Sequence, residues 1–355
     1  MKKVGIITFH WAPNYGAVLQ AYALQKHLER FDIFVEDINY LPLRNILTLR
    51  FFDLYLRRFE NIKKAKVMRK FRNKYLQLSP KIYFNNKGLF ESQNKYDYVV
   101  AGSDQIWNES FMMTAEKNVT LSYYLNFMLD NNKRISYAAS FGTNEITANI
   151  EKYGIPELKR FKAVSVREEN AVAMLKSYGI DAYFVCDPTL LIPVENYEYI
   201  IQNKKDNGTV NIFNYLLRGG RESSDLTEKY IIQEACKDMS HLDKKILSVE
   251  DWLWKIKTCD LVLTDSFHCT VFAILFHKTF IAINDKNCSM NARIQTLCKR
   301  LGLEHRILES YDQNRINGLL KTTDINWEEV DRKIKEWSKE STDFLLNALE
   351  IKEKP

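Results

Sequence analysis

The residues with the most chemistry in this sequence lie in one turn. Thr264-Asp265-Ser266-Phe267-His268 follows a short apolar run, Leu261-Val262-Leu263, and precedes an apolar segment of helical spacing that ends at Phe276. This is the pattern of a buried strand running into a helix, with a histidine at the junction. In α/β folds, ligands bind at the carboxyl ends of strands, beside helix N-termini whose free N–H groups attract anions. An imidazole placed there can carry a proton to or from a bound ligand. It can equally cap the helix or sit hydrogen-bonded in the core.

The elements that must position this turn follow from the apolar pattern. Strands are predicted at 4–8, 34–38, 98–101, 134–140, 163–167 and 183–186. Helices are predicted at 17–28 and 168–178, the second ending at Gly179. After Pro188–Pro193 a second alternation begins. It has strands at 210–216, 246–249, 261–263 and 280–283, and helices at about 224–239, 250–258, 270–276 and 291–301. Strands alternating with helices imply parallel sheets with right-handed crossovers. The fold class is therefore α/β, with two Rossmann-like domains facing a central cleft. Residues 1–190 form the first domain, 191–326 the second, and 327–355 a C-terminal amphipathic helix.

Composition bounds the function. A chain of 355 residues, 46% hydrophobic and 27% charged, is an ordinary globular chain long enough for two domains. The six cysteines are scattered without a CxxC pair and read as reduced core thiols of a cytoplasmic protein. No His or Cys spacing points to a metal, and no GxGxxG follows the first strand, so neither a metal nor a nicotinamide cofactor is expected. No apolar stretch approaches the ~20 residues needed to cross a bilayer. The net charge of +6 is concentrated in an insertion at 43–81, where twelve Lys and Arg face only Asp53 and Glu60. That segment reads as one or two basic amphipathic helices. They are either a solvated hairpin or a surface for anionic lipid at the inner face of the membrane. Nucleic acid is not expected, because the basic residues are confined to one segment without a recognition motif.

Several motifs, in order, resemble the polysaccharide pyruvyl transferases from Val4 to about Ile307. They are Asn14-Tyr15-Gly16, Ala101-Gly102-Ser103-Asp104-Gln105-Ile106-Trp107-Asn108, Tyr137-Ala138-Ala139-Ser140-Phe141-Gly142, Ser165-Val166-Arg167-Glu168, Asp187-Pro188-Thr189, Thr264–His268 and Asn291-Ala292-Arg293. The resemblance implies a fold similar to the two-domain, GT-B-like glycosyltransferases. It also implies transfer of a pyruvyl group from phosphoenolpyruvate to a sugar hydroxyl pair of a cell-surface polysaccharide or its lipid-linked precursor, with no cofactor. His268 takes the proton-transfer role. Some members have Arg-Leu-His where this chain has Ser266-Phe267-His268, so anchoring of the donor by a cation at that position does not carry over.

An anionic donor still needs cations, and arginine suits it because its planar fork holds two oxygens at once. Arg293 and Arg167 are the first candidates, then Arg218 and Arg221, with Ser266 supplying a hydroxyl. Asn14, Ser103, Gln105 and Asn108 are short polar residues at predicted strand ends, suited to the sugar acceptor. Trp107 or Trp11 is a candidate to stack on the sugar or to pack in the core. Asp104 is either the base for the first attack or a helix N-cap. Two other readings stay open because fold alone does not fix function. One is a nucleotide-sugar-dependent glycosyltransferase, and the other a non-catalytic carbohydrate-binding protein.

Overall fold

The computed structural model describes residues 1–42, 54–112, 119–204, 212–217, 246–283, 292–308, 318–319 and 325–352, without the side chains of 54–61. The chain forms two compact units. Unit 1 comprises residues 1–192 and 335–355, and unit 2 residues 193–334.

In unit 1, β1 (Lys3–Ile7), β2 (Phe34–Asp37), β3 (Tyr98–Ala101) and β4 (Arg134–Ser136) form a parallel sheet in the order β2-β1-β3-β4. A parallel pair, β5 (Val164–Val166) and β6 (Ala182–Phe184), continues beside β4 through the bridges Ile135–Ala163 and Ala139–Val166. Val4, Ile6 and Ile7 are fully buried, as expected of a parallel strand covered on both faces. Helix α1 (Tyr15–Leu28) follows β1 and starts where the Asn14 side chain accepts a hydrogen bond from Gly16 N at 2.8 Å. Almost every residue of α1 is buried.

Residues 43–53 of the predicted basic insertion lie outside the described residues. Leu54–Tyr75 is helix α2. It packs on α1 through Phe71, whose ring lies 6.1 Å from that of Tyr22. Met68, Phe71 and Arg72 are buried, whereas Lys63, Lys66, Arg69 and Lys70 are exposed. Phe71 is therefore part of the core and is not a lipid-facing residue. Helix α3 (Glu169–Lys176) lies between β5 and β6 in the chain.

In unit 2, β7 (Ile212–Tyr215), β8 (Leu261–Thr264), β9 (Thr279–Ile283) and β10 (Ile307–Leu308) form a parallel sheet in the order β10-β9-β8-β7. Helix α4 (Val249–Thr258) precedes β8, α5 (Phe267–Leu275) follows it, and α6 (Ala292–Leu301) follows β9. The strand predicted at 246–249 does not form. Ser248 instead caps α4, its hydroxyl accepting from Asp251 N at 3.0 Å, which makes Val249 the first helical residue.

The long helix α7 (Trp327–Ala348) contributes residues from Lys335 onward to unit 1. There Ser341 Oγ accepts from Cys186 N at 2.9 Å, and the Phe344 ring lies 4.9 Å from Tyr183. Beyond the helix, Lys2 Nζ donates to the carbonyls of Leu349 and Glu350, both at 2.8 Å. Among the described residues no helix is long and apolar enough to cross a membrane.

His27 joins α1 to α7. Its Nε2 lies 3.2 Å from Thr342 Oγ1, whose own hydrogen goes to the Ser338 carbonyl, so the imidazole nitrogen is the donor. Burial, reinforced by the Arg30 charge, pushes the His27 pKa down to about 4. The unfolded chain takes up this proton near pH 6.5. Stability is therefore expected to fall as pH drops from 6.5 toward 4, at up to about 1.4 kcal/mol per pH unit from this group alone. Denaturation of His27→Gln over that range should show a slope shallower than wild type by this amount. An unchanged slope would mean that His27 titrates alike in both states.

Candidate active site

The predicted turn in unit 2 is held rigidly at the carboxyl end of β8. Thr264 Oγ1 donates to the Tyr215 carbonyl at 2.6 Å and accepts from Ser266 N at 3.0 Å. Asp265 Oδ1 accepts from Leu217 N at 2.6 Å, fastening the end of β7 to the same turn. Ser266 is the N-cap of α5, its hydroxyl accepting from Cys269 N at 3.4 Å. The helix therefore starts at Phe267, three residues before the apolar periodicity predicts. Ser266 Oγ accepts in that bond and keeps its own hydrogen to donate.

His268 is the second residue of α5 and is 7% exposed. Its ring packs edge-on against Phe267, with centroids 5.1 Å apart. The guanidinium of Arg293, in the first turn of α6, lies 5.8 Å from the centre of the same Phe267 ring. Phe267 thus contacts both an imidazole and a guanidinium 25 residues apart in sequence, and it directly follows Ser266 in the chain. Arg218 and Arg221 lie outside the described residues.

The other candidates meet in unit 1, at the carboxyl ends of β3, β4, β5 and β6. Arg167 follows β5, and its side chain is 1% exposed. Nη1 donates to Asp187 Oδ2 at 2.7 Å and to Ser103 Oγ at 3.3 Å. Nη2 lies 3.6 Å from Asp104 Oδ1, and Nε lies 3.9 Å from Glu168 Oε1. Burial alone would lower the guanidinium pKa, but the carboxylates of Asp187, Glu168 and Asp104 outweigh it and raise the value. Ser103 Oγ donates to Asp187 Oδ2 at 3.0 Å, and Ser140 Oγ donates to Glu168 while accepting from Gly142 N at 3.0 Å.

Asp104 sits in the left-handed region, with φ of 79°, a conformation that costs a non-glycine residue of order 1–3 kcal/mol. It caps no helix, since the next one starts at Glu109. Its carbonyl accepts from Ile106 N at 2.8 Å and Ser140 N at 3.0 Å, while its side chain stays 16% exposed. Gly142, with φ of 69°, is the one residue type its position allows, because a Cβ there would lie 2.7 Å from Gln105 Cδ and 3.0 Å from Asn108 Nδ2. Gln105 Nε2 is buried and has no hydrogen-bond partner among the described residues. Asn108 Nδ2 donates to the Phe141 carbonyl at 2.9 Å. Asn14 is exposed at the start of α1.

Two expectations change. Trp107 does not present a face to a sugar: it is fully buried, its Nε1 donates to the Tyr123 carbonyl at 3.1 Å, and its ring stacks on Tyr124. Arg167, expected on the donor, spends its donors inside a carboxylate cage together with the acceptor candidates Ser103 and Asp104. Glu168 and Asp187 were not singled out as site residues. Their position directly after β5 and β6 was the available signal, but their convergence on Arg167 depends on the sheet order.

Because Arg167 is the cation facing the buried carboxylates of Asp187 and Glu168 and the partly exposed one of Asp104, Arg167→Met is expected to destabilise the protein by about 3–5 kcal/mol. Arg167→Lys should recover only part of the loss, since one ammonium cannot reach all four oxygens. Urea denaturation measures both, and a wild-type midpoint for Arg167→Met would show that the cage is not structural.

Solved structures with the same fold include the UDP-N-acetylglucosamine 2-epimerase from Rickettsia bellii, at 10% identity over 99% of this chain and 97% of that one, with a TM-score of 0.55. The S. aureus MnaA–UDP co-structure matches at 14% identity over 100% and 99% of the two chains, with a TM-score of 0.53. The Methanocaldococcus jannaschii UDP-GlcNAc 2-epimerase in complex with UDP-GlcNAc and UDP matches at 14% identity over 95% and 99%, with a TM-score of 0.52. At these identities the likeness is one of fold, an α/β two-domain GT-B-like architecture. No curated protein sequence matches the chain. The sequence profile of the polysaccharide pyruvyl transferases matches residues 14–287, a span that takes in both the caged Arg167 and the Ser266–His268 turn, and the chain belongs to that family.

Proposed function

We propose that this transferase moves the pyruvyl group of phosphoenolpyruvate onto two hydroxyls of one sugar, in a cell-surface polysaccharide or its lipid-linked precursor. The product is a cyclic ketal, and phosphate is released. The observation that carries this reading is the gathering of Ser266, His268 and Arg293 around Phe267 at the carboxyl end of β8. It offers a hydroxyl, a proton carrier and a cation where α/β proteins bind anions.

The chemistry assigns a task to each group. The enol CH2 carbon takes up a proton and becomes a methyl group, and the first sugar oxygen bonds to the neighbouring carbon. The bond from that carbon to the phosphate oxygen then breaks, and the second sugar oxygen takes its place. Of the two hydroxyl protons, one ends on the methyl group and the other leaves with phosphate. His268 is the proposed proton carrier. Arg293, its plane set by Phe267, holds the donor's anionic oxygens. Ser266 donates its hydroxyl hydrogen, and Arg218 is a further proposed donor contact.

In unit 1, Asp104 is the proposed base toward the acceptor, and the Arg167 cage positions it. Ser103 is part of that positioning group, since its hydroxyl is committed to Asp187. Gln105, with its unpartnered Nε2, and Asn108 and Asn14 are the proposed contacts to sugar hydroxyls. The exposed Lys63, Lys66 and Lys70 on α2 are proposed to hold the enzyme at the anionic inner face of the membrane, where a lipid-linked acceptor is reached from the cytoplasm.

Thermal stabilisation separates this reading from its rivals. Phosphoenolpyruvate at about 100 times its dissociation constant should add ~2.7 kcal/mol of stability. Stabilisation by UDP-GlcNAc alone would point to nucleotide-sugar chemistry, and by neither ligand to a non-catalytic sugar-binding protein. In turnover assays His268→Ala is expected to lose roughly 100- to 10,000-fold in rate while staying folded. Arg293→Ala is expected to raise the KM for phosphoenolpyruvate more than that for the acceptor. Near-normal turnover in a folded His268→Ala protein removes His268 from the mechanism.

A further inference from the structure

A second charged group lies at the carboxyl ends of β1 and β2. His10, in the loop after β1, is fully buried. Its Nε2 lies 3.2 Å from the carbonyl of Ile38, the residue after β2, and its Nδ1 lies 3.2 Å from Nη1 of Arg72 on α2. A carbonyl only accepts and a guanidinium only donates, so Nε2 carries the hydrogen and Nδ1 is the acceptor. The ring is therefore neutral. Burial, with the Arg72 charge adding to it, pushes the His10 pKa down to about 3.

Among the described residues Arg72 is thus a cation whose one side-chain partner has no charge. It is 8% exposed, and among those residues its Nε has no hydrogen-bond partner. Among the described residues no carboxylate lies within ion-pair distance of it. Burial disfavours its charge, and the like charge of Arg69, three residues earlier on α2, adds to the penalty. Buried arginines are ordinarily paired. In this same unit Arg134 is held by Glu157 at 2.6 Å and Arg167 by Asp187 at 2.7 Å. The uncompensated pair stands at the carboxyl ends of β1 and β2, the end of an open α/β sheet at which ligands bind.

We propose that Arg72, with Arg69 beside it, forms an anion-binding subsite in unit 1 that takes a phosphoryl group. Two positive charges without an internal acid suit a dianion, and the planar guanidinium matches phosphoryl oxygens. The subsite is distinct from the turn around Phe267 and does not depend on phosphoenolpyruvate being the donor. The phosphoryl group can come from a phosphorylated sugar or from free phosphate, and the two sources are told apart by their affinities.

The test uses full-length protein carrying Arg293→Ala, so that the turn in unit 2 does not contribute, and titrates inorganic phosphate, pyrophosphate and a sugar 1-phosphate by calorimetry and thermal shift. Saturable pyrophosphate binding is expected. Adding Arg72→Gln should weaken it at least about tenfold, and Arg72→Lys, which keeps the charge, by less. Tighter binding of the sugar 1-phosphate than of phosphate assigns the subsite to a phosphorylated sugar, and equal binding assigns it to free phosphate. A folded Arg72→Gln protein that binds pyrophosphate as tightly as its parent overturns the proposal. If Arg72→Gln does not fold, Arg69→Gln on the exposed side chain should weaken binding about threefold, and unchanged affinity there overturns the proposal equally.

Discussion

The carboxylate cage of Arg167 is the interaction on which unit 1 depends. Each buried charge in it loses several kcal/mol of hydration, and only close mutual contact offsets the loss. Its members come from segments far apart in the chain. Ser103 and Asp104 follow β3, Arg167 and Glu168 follow β5, and Asp187 follows β6. Glu168 draws in Ser140 from the segment after β4. A single guanidinium thereby fixes four strand-end segments relative to one another, and with them the strained backbone of Asp104. Strain at that residue persists because Ser140 N holds its carbonyl and Arg167 its carboxylate, which also accepts from Gln105 N at 2.9 Å.

The two candidate sites, one in each unit, use charge in opposite ways. In unit 1 the cage guanidinium is surrounded by acids, so what remains for a ligand holds no free cation: the Gln105 amide, the Asn14 side chain and the partly exposed Asp104 carboxylate, all suited to hydroxyl groups. In unit 2 the Arg293 guanidinium lies over an aromatic face. Cation–π contact fixes the plane of a guanidinium without cancelling its charge. A neutral polyol suits the first environment and an anion suits the second.

Much of this was legible in the sequence. The β8 strand and the helix after it follow from apolar runs interrupted by Thr-Asp-Ser, and the grouping of Ser266 with His268 follows from their separation by one residue. The first turn of α5 was not legible as helix, because its start is set by a side-chain hydrogen bond from Ser266 and not by apolar periodicity. The same cause moved Val249 from a predicted strand into a helix behind Ser248. Alternation identifies a tryptophan as large and apolar but does not say which surface covers it, and Trp107 proved to be walled in by Tyr124 and Phe141. The contacts of Arg167 were hidden for a different reason. Its partners lie from one to 64 residues away, and only the lateral order of the strands brings them to one point.

The return of α7 to unit 1 has a consequence for how the chain is made. Unit 2 is an insertion between Ile192 and Lys335, so it is synthesised before the residues that close unit 1. Until then the Cys186 amide has no Ser341 hydroxyl, His27 has no Thr342, and the outer faces of Tyr183 and Phe184 are bare. A nascent chain therefore carries an unfinished first unit throughout the synthesis of the second, and it is in that interval that a chaperone would find apolar surface to hold.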